Sequence, residues 1–175
     1  MCHIVVAQSQ LENSTWLDMK QLIKTIPTKR LGDVRYSDLY QPANNCIGLY
    51  FLASPDGKQL YIGKSTSRCI AERIAAHIDG RANAYLNSFS KNVLIRQGKD
   101  ITNHNINNIL PNLFDWNLSV LFVAWQNESC AKQLISKIEG MLIFDLQPQN
   151  GGNCINGTNR KKPISVNTPI KNLIL

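Results

Sequence analysis

The chain predicts an α/β fold of the α+β kind, a small central three-stranded antiparallel sheet flanked by helices, and three observations lead there. Residues 46–53, CIGLYFLA, and 59–62 are apolar segments joined by residues 54–58, SPDGK, whose Pro and Asp-Gly are hairpin formers. Residues 118–125, LSVLFVAW, form the strongest strand signal and return more than 50 residues after the hairpin. Helical periodicity fills much of the remainder, and no strand–helix–strand unit repeats, which argues against a doubly wound sheet.

In chain order, residues 15–27 place Trp16, Met19, Leu22, Ile23 and Ile26 three and four apart, an amphipathic helix stopped by Pro27. Residues 28–45 are polar, with Gly32 and Pro42, and read as an irregular arm. After the hairpin the period changes. Residues 69–78 set Ile70, Ile74 and Ile78 on one helical face before Gly80. Residues 82–95 predict a second helix with Tyr85, Leu86 and Phe89 inward, and the Asn-rich stretch that follows has room for a short helix at 106–110. Residues 129–146 predict a long helix carrying Leu134, Ile138, Met141 and Leu142, ended by Pro148. The organisation expected is an N-terminal helix and arm over 1–45, a central domain over 46–156 and a basic arm over 157–175.

A length of 175 residues suits one domain, and 43% hydrophobic against 18% charged residues supplies a core. The formal charge is +7, of which +4 falls in residues 151–175 from Arg160, Lys161, Lys162 and Lys171 with no acid. Such a field favours polyanions. Five scattered cysteines without a Cys-x-x-Cys pair argue against a disulfide framework or a thiolate zinc site. The N-terminus has no basic segment before its short apolar stretch, and no apolar run reaches membrane-spanning length, so a cytoplasmic protein is expected.

Several residues are suited to chemistry on phosphates. Tyr50 and Tyr61, with 10 residues between them across the hairpin, can project from one sheet face, and Lys64 is placed to favour a phenolate. Arg73 and His77 are one helical turn apart, so a guanidinium that grips phosphate and an imidazole that handles protons share a surface. Arg68 and Glu72 read as solvated residues or helix-end partners. Glu139, in a helix with apolar flanks, is a carboxylate at the rim of the core and a hard-oxygen ligand for a magnesium-like ion. Each of these residues also has an ordinary structural use, as a half-buried strand ring or a surface ion pair.

Together, Gly48-Leu49-Tyr50, Tyr61-Ile62-Gly63, the helix with Arg73 and His77, and Glu139 followed by Asn150 resemble the GIY-YIG nuclease family in every block and in their order, most closely its small stand-alone restriction-type members. The resemblance covers residues 46–156. Leu49 replaces the usual Ile, and the interval from Gly63 to Arg73 is slightly long, which leaves Arg68 as a competitor; Asn153 and Asn156 compete with Asn150.

The resemblance implies a three-stranded antiparallel sheet flanked by helices and metal-dependent hydrolysis of phosphodiester bonds in double-stranded DNA. It implies Tyr50 as general base, Tyr61 lining the same pocket, Arg73 on the scissile phosphate and His77 assisting. Lys64 matches the lysine after YIG in restriction-type members, Glu139 would hold Mg2+, with Mn2+ as substitute, and Asn150 would support the site. Arg68, Arg160, Lys161 and Lys162 join Lys64 and Arg73 as expected DNA contacts, and the 28–45 arm or the Asn-rich stretch would read bases. A homodimer would suit cleavage of both strands; a modification or immunity partner is left unidentified. The alternatives are a structure-specific, mobile-element or toxin nuclease, or a DNA-binding module without catalysis.

Overall fold

The computed structural model describes residues 1–40, 46–157 and 165–173. Its elements are β1 (His3–Ala7), α1 (Gln8–Glu12), α2 (Trp16–Thr25), β2 (Lys29–Arg30), α3 (Tyr36–Leu39), β3 (Cys46–Ala53), β4 (Leu60–Ser65), α4 (Ile70–His77), α5 (Ser88–Arg96), α6 (Asn103–Leu113), β5 (Asn117–Ala124) and α7 (Glu128–Asp145). Single 3-10 turns lie at Leu31–Asp33, Pro148–Asn150 and Ile170–Leu173. Among the described residues no helix is long and apolar enough to cross a membrane.

The sheet corrects the expected three antiparallel strands: it has five strands and is mixed, in the order β1-β5-β3-β4, with β2 also on β5. The hairpin and β5 do pair antiparallel, Tyr50 facing Gly63 on one side and Val120 on the other. The other edge of β5 is occupied twice. β1 runs parallel to it, His3 opposite Val120 through Ala7 opposite Ala124, and the two residues of β2 pair antiparallel at Leu118 and Asn117. Residues 1–45 therefore supply two strands, and the antiparallel trio is the middle and one side of a larger sheet.

The central strands explain their own composition. β3 is buried from Cys46 to Leu52 and β5 from Leu118 to Val123, because helices cover both faces. A strand buried on both sides reads as a continuous apolar run. One face carries Tyr50, Leu52, Tyr61, Leu118, Val120 and Phe122, packed with Phe89, Val93 and Leu94 of α5 and Ile106, Ile109 and Leu113 of α6. The opposite face carries Leu49, Phe51, Ile62, Leu121 and Val123, packed with Trp16 and Met19 of α2 and Leu134, Ile135 and Ile138 of α7. Each fully buried Leu, Ile or Phe contributes about 1.5–3 kcal/mol.

Local chemistry sets the helix ends. Thr15 and Asp18 form a reciprocal capping box at α2, whose Trp16 Nε1 donates to Asp145 at 2.8 Å while Lys20 pairs with the same carboxylate at 2.8 Å, fastening α2 to α7. Two helix boundaries differ from expectation. Residues 82–87 are not helical, because Asn87 Nδ2 donates to the Asp79 and Arg81 carbonyls and holds a turn there, leaving Tyr85 93% exposed rather than inward. The Asn-rich segment instead builds all of α6: Thr102 accepts from Asn105 N as its cap, and Asn107 donates to the Asn103 carbonyl. Those amides are spent on local hydrogen bonds. In the 28–45 arm, residues 41–45 lie outside the described part, and the rest folds into β2, a 3-10 turn and α3.

Candidate active site around Tyr50, His77 and Glu139

Tyr50 leaves the middle of β3 and leans across the hairpin over Gly63. A Cβ on Gly63 would overlap the ring carbon Cζ, the hydroxyl and Cε2 of Tyr50, so the third residue of YIG is small because the first-strand phenol occupies its space. Tyr61 lies on the same face, opposite Leu52 in the ladder. Gly48, two residues before Tyr50 in β3, lies against β5: a side chain there would meet the Leu121 carbonyl at 2.8 Å. Both tyrosines are at most 5% exposed.

Two helices close over this face. Arg73 and His77 lie in α4, whose Ile70 and Ile74 anchor it on the core. His77 is fully buried, its Nε2 2.5 Å from the Tyr50 hydroxyl, and its ring meets Tyr61 edge-on with centroids 5.1 Å apart. The Tyr61 hydroxyl is 2.7 Å from Ser88 Oγ at the start of α5. Burial, then the Arg73 charge, pulls His77 down to about 3, so the imidazole is neutral at pH 7. Burial pushes both phenols up, most strongly Tyr50, and the positive charge of Arg73 opposes the rise on each.

Arg73 faces the two phenols and a polar cleft. Its Nε is buried with no hydrogen-bond partner among the described residues, and Arg73 lines a cavity of about 180 Å³ with Lys64, Ser65, Thr66, Ser67 and Arg68. A guanidinium donor with no partner among the described residues, in a cleft that holds further cations, suits a phosphate oxygen as its acceptor. Arg68, the competitor for this role, is half exposed and pairs with Glu72 at 2.6 Å, as its place at the helix end predicts.

Glu139 arrives from the other helical layer. It lies on α7, and its Oε2 is 3.0 Å from Lys64 Nζ at the β4 rim. Its negative charge raises the pKa of both Tyr50 and Tyr61, so the carboxylate acts within electrostatic reach of the phenols. Among the described residues no three His, Cys, Asp or Glu side chains gather as a metal cage. A single carboxylate nevertheless fits a magnesium-type ion, which keeps several waters and takes phosphate oxygens as further ligands.

The late asparagines separate by position. Asn150 Nδ2 donates to the Phe144 carbonyl at 2.7 Å, closing the end of α7, and Asn153 Nδ2 donates to the Gly57 carbonyl in the hairpin turn at 2.7 Å. Asn156 grips the second tripeptide: Ile62 N donates to its Oδ1 at 2.8 Å and its Nδ2 donates to the Ile62 carbonyl at 2.7 Å. With backbone bonds between Leu60 and residues Asn153 and Ile155, it covers the outer edge of β4. Of the three asparagines weighed for the supporting role, Asn156 is the one that binds the hairpin; Ser88, which bonds Tyr61, carries no sequence signal. Arg160, Lys161 and Lys162 lie outside the described residues.

The structure thus brings Tyr50, Tyr61, Arg73 and His77 together over one sheet face, pairs Lys64 with Glu139, lines one cleft with Lys64, Arg68 and Arg73, and keeps Asn150 just past the C-terminal end of α7. Compared with family models, curated proteins and solved structures, the chain matches none, and its site stands on its own geometry.

Proposed function

We propose that this protein is a metal-dependent endodeoxyribonuclease that hydrolyses phosphodiester bonds in double-stranded DNA with a GIY-YIG-type set of residues, in the manner of a restriction enzyme. One observation carries the reading. The Tyr50 hydroxyl meets the neutral His77 at 2.5 Å beside Arg73, whose Nε has no acceptor among the described residues, and Arg73 shares a polar cleft with Lys64, the partner of Glu139. A sheet core needs none of these groups there.

In this mechanism the scissile phosphate enters between Lys64 and Arg73, and Arg73 offsets the charge that grows on the phosphoryl oxygens. Magnesium on Glu139, when bound, supplies Lewis-acid stabilisation of that charge. Tyr50 is a neutral phenol in the DNA-free protein, because burial holds its proton in place. It works as a base by handing that proton on: its oxygen takes a proton from the attacking water as its own moves to His77 Nε2, 2.5 Å away. A phosphate against Arg73 compensates the charge that depresses His77 and so makes it a better acceptor. Tyr61, bonded to Ser88, fixes the ring cluster.

The net charge of +7 supports a polyanionic substrate. One site per chain cuts both strands through two copies or through successive nicks. Free thiols at Cys2, Cys69, Cys130 and Cys154 support a cytoplasmic setting. Supercoiled plasmid incubated with magnesium, and in parallel with excess chelator, tests the activity: nicked or linear product in magnesium alone is expected, and intact plasmid over a range of sequences and protein concentrations contradicts it.

A further inference from the structure

Lys64 has two anionic destinations. In this structure its ammonium lies 3.0 Å from Glu139 Oε2, the lysine side chain 34% exposed and the carboxylate 19%. The same lysine lines a cleft with Arg73, whose Nε has no acceptor among the described residues. A lysine is a compact charge on a flexible four-carbon stem, able to turn from one anion to the other while its backbone stays in β4.

We infer that Lys64 is an exchangeable counter-cation: it occupies Glu139 and suppresses divalent-metal binding until a DNA phosphate in the Lys64–Arg73 cleft draws it away. This rests on the reading of Glu139 as the metal ligand. A magnesium-type ion approaches a carboxylate oxygen to about 2.0–2.1 Å. With the ammonium still on the other oxygen, a single and a double positive charge would stand a few ångströms apart in a half-buried site, where repulsion is strong. Phosphate removes the conflict twice, by giving Lys64 a second partner and by adding negative charge beside the ion. Metal and DNA therefore strengthen each other's binding by the same factor. The protein without DNA stays poorly loaded with metal, and hydrolytic capacity appears where a phosphate is already seated.

Mn2+ titration followed by electron paramagnetic resonance tests this with the wild type, Lys64→Met, Lys64→Gln and Glu139→Gln. Each is measured alone and with a mixed-sequence phosphorothioate duplex, after circular dichroism has verified folding. Both Lys64 variants should bind Mn2+ more tightly than wild type in the absence of DNA, by a factor within roughly 5–150, the usual span of coupling between sites. The duplex should then tighten Mn2+ binding in the wild type and much less in the Lys64 variants. Equal Mn2+ affinity of wild type and both Lys64 variants, with binding lost in Glu139→Gln, would overturn the exchange and leave the metal ligand standing. Undiminished binding by Glu139→Gln would overturn the metal reading itself, and the exchange with it.

Discussion

Acid should unfold this protein through His77 before its carboxylates matter. The imidazole is fully buried and held at about 3 in the fold, against 6.5 when unfolded. Between those values the unfolded chain binds a proton that the folded chain refuses, so stability rises with pH and is lost as pH falls from about 6.5 toward about 3. The slope reaches about 1.4 kcal/mol per pH unit, and from about pH 6 to about pH 4.5 the loss is about 2 kcal/mol. The shifted aspartates, Asp18, Asp38, Asp56 and Asp79, are all held below their ordinary 3.8, so the stability they add is lost only at lower pH, outside this interval. The perturbation is His77→Gln, which removes the titrating ring and leaves an amide able to face Tyr50. Urea unfolding at several pH values gives the free energies for both proteins. The variant should start less stable and show a nearly flat profile across this range. Parallel profiles would refute the claim that His77 is kept neutral in the site.

The neighbouring residues have their own expected outcomes. Tyr50→Phe should lower single-turnover cleavage by roughly 10²–10⁴ without a matching loss of DNA binding, the range for a lost general base, while Tyr61→Phe, which gives up a bond to Ser88, should cost less; near-wild-type chemistry in Tyr50→Phe would reject the base role. Gly63→Ala forces the Tyr50 ring from its place, and should destabilise by about 1–3 kcal/mol as overpacking does and slow cleavage, so an unaltered thermal melt would contradict the placement. Asn156→Ala removes both bonds to the Ile62 backbone; denaturant unfolding should show a loss of about 1–3 kcal/mol, with part recovered by Asn156→Asp, which keeps the acceptor.

What the sequence revealed follows the range of its interactions. The hairpin, α4 and α7 were readable because their signals are local: a Pro and Asp-Gly turn, an isoleucine face, a long apolar stripe before Pro148. β1 was not. HIVVA is short, and what makes it a strand is a parallel partner at residues 120–124, a pairing that leaves no mark near His3. β2 is two residues long and exists because Lys29 and Arg30 meet the start of β5. Among the site residues, spacing alone placed Arg73 and His77 on one helix face, and the structure adds that the imidazole reaches Tyr50. The Lys64–Glu139 pair joins residues 75 positions apart, and Asn156 reaches back to Ile62 across the chain. Neither has a local signature.

Single-turnover cleavage of plasmid by wild type and Glu139→Gln, in magnesium and with melting curves for both, is the most direct test of the active site. The amide preserves the shape of the carboxylate and loses the charge that attracts the ion and pairs with Lys64. A folded Glu139→Gln protein that binds DNA and scarcely cuts it is the expected result; wild-type turnover by that variant in magnesium would contradict the assignment of Glu139 to the metal.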